Sequence, residues 1–182
     1  MKRSIIAVAV LSSLFMSAGN AADVENAMGT LIINGKVVGT TCQFLSGRDN
    51  ATIEMSDIGI DQFTNVQVGA PVTNYSNTTS LPLKVKCEGV QPRITFSSTQ
   101  FEGTGSNVTR NTGDASGVGF AVFFGKGTDS SNRISGNSPI KLPPATNNGE
   151  YDLYFTAQYA KAGADVKKGG VNSTITMTVV VD

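Results

Sequence analysis

One stretch, GTLIINGKVVGTTC (Gly29–Cys42), constrains the fold more than any other part of the chain. In an extended strand its side chains would alternate between two faces, because successive side chains of a β-strand point to opposite faces. Gly35 also fits an Asn-Gly turn, but the alternation keeps its phase across this position, which favours an extended strand. Four residues would share one face of that strand: Leu31, Ile33, Gly35 and Val37.

The chain begins with the three parts of a secretory signal. Lys2 and Arg3 form a positive end, an apolar run follows, and the small residues GNA (19–21) precede a cleavage site. The apolar run is about half the ~20 residues that span a bilayer, which argues against a membrane anchor. We expect cleavage after Ala21. Cleavage would reduce the 14 basic residues to 12 against 14 acidic ones, giving an exported and slightly acidic product.

The amino-acid composition limits the number of domains and the kinds of catalytic, metal or nucleic-acid site that the chain can contain. The 182 residues suffice for one ordinary domain, and the charged fraction is only 15%. Frequent Gly, Ser, Thr and Asn indicate many turns. The chain has no His, so it lacks the commonest general base and the commonest metal ligand. The formal charge is zero and no basic patch stands out, so a nucleic-acid partner has no electrostatic support.

The two cysteines, Cys42 and Cys87, are the next constraint. In an oxidising compartment an even pair is most simply one disulfide. A metal site is a poor alternative because the two are far apart and no His accompanies them. A redox pair is equally poor because no C-x-x-C is present.

Short apolar stretches separated by turn residues predict an all-β sandwich. We expect a short helical turn around Ile58–Phe63 and a sharp turn at Asn147-Asn148-Gly149. The predicted strands, besides those at the two ends of the chain, are Thr52–Met55, Leu81–Cys87, Gln91–Phe96, Val118–Phe124 and Glu150–Tyr159. The predicted loops include Asn74–Ser80, Gly103–Gly117 and Ala160–Gly170.

The last strand, Ser173–Val181 (STITMTVVV), is the second informative stretch. It alternates, and no charged residue interrupts it. At a sheet edge such a strand would invite pairing with another chain, whereas in a sheet centre it would be an ordinary core strand. One face of it carries Ile175, Met177, Val179 and Val181.

Together these residues resemble a family. The chain is similar to fimbrial subunits (pilins) of the chaperone–usher, type 1 class. The matching features are the signal peptide, NGKVVGTTC ending at Cys42, LPLKVKC ending at Cys87, a Gly-rich middle and an alternating strand at the C-terminus. One departure is Val181, where the family often carries Tyr next to last.

The resemblance implies an incomplete immunoglobulin-like sandwich that lacks its last strand. It implies a groove bordered by the C-terminal strand (Ile175, Met177, Val179, Val181), first filled by a periplasmic chaperone and then by a neighbour's N-terminal extension at an outer-membrane usher. In this chain the donor residues would be Leu31, Ile33, Gly35 and Val37. The implied regions are a signal peptide (1–21), an extension (22–35, with a strand that can run on to about 39) and a pilin domain (36–182).

We therefore predict a structural subunit of a surface fimbria, exported through the periplasm, with no enzymatic activity, cofactor or metal. Its partners would be copies of itself or related pilins, the chaperone and the usher. A minor adaptor pilin is the first alternative, and a tip adhesin would need a lectin domain for which we expect no room. An exported hydrolase is less favoured. Its candidate carboxylates, Glu54, Asp57 and Asp61, are more simply solvated acids.

Overall fold

The computed structural model describes residues 42–88, 91–103, 105–145 and 148–181. The predicted signal peptide and the predicted strand Leu31–Val37 lie outside these residues. The described elements are strands and three short 3-10 turns, and no described helix is long and apolar enough to cross a bilayer. The strands are β1 (Cys42–Phe44), β2 (Pro71–Thr78), β3 (Leu83–Cys87), β4 (Arg93–Phe96), β5 (Phe101–Glu102), β6 (Val108–Thr109), β7 (Val118–Phe124), β8 (Ile140–Lys141), β9 (Glu150–Leu153), β10 (Phe155–Lys161) and β11 (Met177–Val180).

The strands form two layers. In one layer β3 lies between β1 and β9, and β10 lies between β2 and β7. These two groups of strands belong to one layer. Only Tyr154 separates β9 from β10, and the Thr79 N–H, just after β2, donates to the Phe155 carbonyl of β10 (2.9 Å). In the second layer β4 lies between β11 and β8. All the pairings are antiparallel.

The main core lies between these layers. Alternating strands turn every second side chain inward, and β3 shows this in its burial pattern, with Leu83, Val85 and Cys87 buried. Ile94 of β4 and Leu153 of β9 are fully buried against them. We call this the central cluster; its other buried members are Phe96, Phe101, Val122, Ile134, Leu142, Tyr151, Phe155 and Met177.

A second apolar cluster occupies the end of the domain where β10 finishes. Phe63 and Tyr159 meet edge to face there, with ring centroids 6.5 Å apart. We call this the Phe63 cluster. Its remaining buried members are Val72, Ala115 and Val118.

The two cysteines form the expected disulfide. Cys42 and Cys87 lie directly opposite each other in the pairing of β1 with β3, and their sulfur atoms are bonded. The bond therefore fixes the first described strand to the centre of its sheet.

Replacing both cysteines with serine should lower the free energy of unfolding by about 4 kcal/mol. The disulfide closes a loop with a sequence separation of 45, and opening it restores conformational freedom to the unfolded chain. Urea unfolding of the oxidised and double-serine proteins would measure the difference. An unchanged midpoint would contradict the prediction.

Several sequence predictions are confirmed. Strand β7 has the predicted bounds, Val118–Phe124, and the predicted helical turn is the 3-10 turn Ile60–Phe63. At the predicted sharp turn, Asn148 and Gly149 both have positive φ (47° and 77°). A Cβ on Gly149 would collide with the Cys87 carbonyl, so this position requires glycine.

Other predictions are wrong. Most of the predicted loop Asn74–Ser80 belongs to β2, because β10 supplies a backbone partner for this polar segment. The predicted loop Gly103–Gly117 contains β6, in which Val108 and Thr109 are buried. No strand is found at Thr52–Met55, since no described strand forms a ladder with it.

Candidate functional site

The C-terminal strand β11 lies at the edge of its sheet among the described residues. It pairs with β4, where Met177 lies opposite Phe96 and Val179 opposite Ile94. Met177 is buried, whereas Thr178 is exposed. The ladder covers only Met177–Val180 of the predicted strand. The predicted apolar face nevertheless points to the core: Ile175 and Val179 are half-buried against the central cluster, and Val181 is half-buried.

The backbone N–H and C=O groups of this segment alternate in the direction they point. The Asn172 carbonyl accepts a hydrogen bond from the Thr112 N–H (2.8 Å). With its amide group oriented to suit both partners, the side chain of Gln100 donates to the Thr176 carbonyl (3.1 Å) and accepts from the Thr176 N–H (2.6 Å). Even-numbered residues therefore direct their backbone groups towards the body of the domain.

The odd-numbered residues point the other way. In an antiparallel pair, residues alternate between those that bond to the partner strand and those whose backbone groups face away from it. The N–H and C=O groups of Ile175, Met177 and Val179 consequently face the edge opposite to β4. That edge can accept another strand.

Another row of apolar residues precedes the turn Ile60–Phe63. Burial alternates over residues 51–56, with every second side chain half-buried. Side chains rather than a ladder hold this segment. Asn77 Nδ2 donates to the Glu54 carbonyl (2.5 Å), and the Tyr159 hydroxyl donates to the Ser56 carbonyl (3.0 Å). We call the half-buried residues of this segment the first row: Ala51, Ile53, Met55 and Ile58.

Tyr159 is well suited to this anchoring role. Burial raises the pKa of its hydroxyl, and the nearby negative charge of Asp57 raises this pKa further. The hydroxyl therefore stays protonated at neutral pH and donates a hydrogen bond to the Ser56 carbonyl.

The half-buried apolar residues of the C-terminal segment form the second row: Val171, Ile175 and Val179. Both rows pack on the central cluster and the Phe63 cluster, but they meet the two clusters in opposite order along the chain. Ala51 packs on the central cluster and Ile58 on the Phe63 cluster. In the second row Val171 packs on the Phe63 cluster and Val179 on the central cluster. The two segments thus run antiparallel. Within the described ranges, no backbone hydrogen bond joins residues 51–58 to residues 171–180.

The second row shares Ile175 and Val179 with the apolar face that the sequence predicted, whereas Val171 was not part of that prediction. The first row was not among the predicted groove residues. The alternation at Thr52–Met55 predicted a strand there but assigned no role to it. The predicted donor residues lie outside the described part of the chain, so their placement stays a prediction: Leu31, Ile33, Gly35 and Val37.

The rival carboxylates lie at the surface. Glu54, Asp57 and Asp61 are all exposed, and Asp61 accepts a hydrogen bond from Gln62 (2.7 Å). Among the described residues, no group of three or more acidic or cysteine side chains could hold a metal ion. The candidate site is the pair of apolar rows together with the open edge of β11.

Comparison with known proteins gives a consistent result. A model of the family "Fimbrial protein" matches residues 31–182. The fimbrial-like protein YehD of Escherichia coli (strain K12) is 32% identical over 185 residues, which covers 100% of both chains.

Two solved structures also match. The CupB6 tip adhesin from Pseudomonas aeruginosa has a TM-score of 0.52 at 17% identity over 79% of this chain. This chain spans 43% of the adhesin's length. The P pilus adaptor subunit PapF has a TM-score of 0.43 at 17% identity, covering 78% of this chain and 96% of PapF. The likeness to the adhesin domain identifies the fold as an open immunoglobulin-like sandwich.

Proposed function

The chain belongs to the fimbrial protein family, and we propose that this pilus subunit joins its neighbours by exchanging a β-strand. It accepts a strand between its first and second rows, and it offers the segment Leu31–Val37 to another subunit. Strand addition to an open sheet edge is an established mode of recognition among pilins.

One observation carries the acceptor half of the proposal. The residues whose backbone groups face the open edge, Ile175, Met177 and Val179, also turn apolar side chains towards the core. An incoming strand would satisfy those backbone groups and cover the half-buried side chains in one step. Val181 extends the same face to the end of the described chain. The first row borders the other side of the same groove.

The donor half rests on the sequence pattern. Leu31, Ile33 and Val37 alternate with residues of the opposite face, and the family match begins at residue 31 and so includes them. Gly35 at an inward position suits a shallow part of a groove, where a larger side chain would collide. We place the extension at residues 22–35, with its strand running on to about 39, ahead of a pilin domain at 36–182.

The export route follows from the same proposal. A signal peptide at residues 1–21 would direct the chain to the periplasm, where a chaperone would cover the open groove until an outer-membrane usher exchanges it for a donor strand. The family places the mature subunit in a surface fimbria, where other pilins are its partners. We propose that its role there is structural support of adhesion, and the rival carboxylates are exposed surface side chains. Shaft and adaptor subunits would use the same groove and donor.

Gel electrophoresis of fibres sheared from the cell surface tests the proposal. Strand-exchanged subunits should resist SDS and run as a ladder of oligomers, and boiling should collapse that ladder to monomers. The expectation follows from the aliphatic side chains and backbone bonds that each donor buries in its neighbour. A monomer band without boiling would count against strand exchange, and the same sample with an intrinsic hydrolytic activity would favour an exported enzyme.

A further inference from the structure

Three large apolar side chains stand out as well exposed among the described residues: Ile60 (53%), Val68 (44%) and Leu81 (61%). Two of them belong to one end of the domain. Ile60 opens the turn Ile60–Phe63, which directly follows the first row, and Val68 follows Val66, which packs on the Phe63 cluster. Scattered exposed apolar residues are ordinary, so what distinguishes these two is their position at one end of the domain and not their exposure alone.

Hydrogen bonds fix this end of the domain. The Gly69 N–H donates to the carbonyl of Lys161, the last residue of β10 (2.7 Å), and Lys161 Nζ donates to the Phe63 carbonyl (3.2 Å). The loop that carries Val68 and the turn that carries Ile60 are thus both tied to the end of β10.

We propose that Ile60 and Val68 form a contact surface for the folded domain of the subunit that donates the strand, a second copy of this chain. The inference rests on the strand exchange proposed above. It adds a second, surface contact between neighbouring subunits beyond the groove itself.

The donor strand would run towards the end of the domain that carries Ile60 and Val68. Antiparallel pairing is the more stable arrangement, so a donor should run antiparallel to β11. It then enters beside Val179, at the central cluster, and leaves beside Val171 and Ile58, at the Phe63 cluster. Ile60 lies two residues beyond Ile58.

Chain length then brings the donor's domain to this surface. The inward-facing donor residues, Leu31 to Val37, span about 20 Å as a strand, and the first row spans about 23 Å if extended. With Leu31 placed beside Val179 and Ala51, Val37 would therefore lie near the Ile58 end of the groove. From Val37 the extended chain covers at most roughly 17 Å before Cys42. Because Cys42 is bonded to β3, the donor's folded domain begins within that distance.

The test uses an acceptor that cannot donate (Ile33→Asp) in complex with one of two partners. The first partner is a synthetic peptide of residues 29–41, and the second is a whole subunit that cannot accept a strand (Val179→Asp). Ile60→Asp with Val68→Asp in the acceptor should make the whole-subunit complex dissociate about tenfold faster. Release of the peptide should be unchanged, since the peptide has no folded domain. Leu81→Asp, at the bend between β2 and β3, is the matched control and should leave both rates unchanged.

The outcomes separate the inference from the proposal on which it rests. Equal dissociation rates for the whole subunit, with and without the two acidic substitutions, would overturn the surface contact while strand exchange stands. Faster release of the peptide as well would also overturn it, because the groove would then be the damaged element. Failure of the Ile33→Asp acceptor to bind either partner would overturn strand exchange, and the contact with it.

Discussion

A subunit carrying Ile33→Asp is expected to fold in complex with its chaperone and yet be absent from fibres. Ile33 is the central large residue of the predicted donor face, so its side chain would be buried in the neighbour's groove. Burial of three large aliphatic side chains contributes on the order of 1.5–3 kcal/mol each. An aspartate among them would lose one such contribution and bring an unpaired charge into an apolar groove, which costs several kcal/mol more.

The measurement is the SDS ladder of surface material, together with the amount of subunit bound to chaperone in the periplasm. Ile32→Asp is the matched control, because it places the same charge one position away, on the opposite face of the strand. This control should still assemble. Normal fibres from the Ile33 variant would remove the donor role from this segment.

The strands that could be predicted from the sequence alone are those whose buried side chains give a regular apolar pattern. Strand β7 (Val118–Phe124) is a continuous apolar run because most of its residues are buried, and its bounds agree with the prediction. In β3 the alternation of Leu83 and Val85 with two lysines follows from a strand with one buried face. Lys84 on the other face pairs with Asp152 across the sheet (3.1 Å).

Strand β2 could not be predicted in this way, because backbone pairing with a neighbouring strand, and not an apolar pattern of its own, keeps it extended. Its segment from Asn74 to Thr78 is polar, and most of its side chains are exposed or half-buried. The strand forms because β10 pairs with it and because the Thr78 and Thr156 hydroxyls are hydrogen-bonded across the pair (2.8 Å). Such long-range pairing overrides local strand propensity.

The candidate site was half predicted for a related reason. Ile175 and Val179 show the alternation of a strand, but the sequence does not say which edge of that strand is open. The direction of its backbone groups became clear only from Asn172 and Thr176, whose partners are distant in sequence. The first row is held by the side chains of Asn77 and Tyr159, which are distant in sequence, so its alternation alone could not show where the segment lies.

Val179→Asp is expected to remove the acceptor function while leaving the donor segment intact. Val179 is half-buried against the central cluster and lies opposite Ile94, so a carboxylate there would face an apolar groove when a donor strand covers it. The cost of enclosing that charge without a partner is again several kcal/mol. Cells exporting this variant alone should therefore give no SDS ladder. Thr178→Asp, at the neighbouring exposed position, should assemble normally.

Export of both variants from the same cell makes the prediction sharper. The Val179→Asp subunit can still donate, and the Ile33→Asp subunit can still accept, so one of each should combine. Neither end of that pair can grow, because the remaining groove and the remaining donor are both defective. The expected product is a single SDS-resistant dimer that boiling dissociates. A dimer band would also establish that Val179→Asp folds well enough to present its donor strand. Longer oligomers from the mixture, or a ladder from Val179→Asp alone, would contradict the assignment of the groove to this edge.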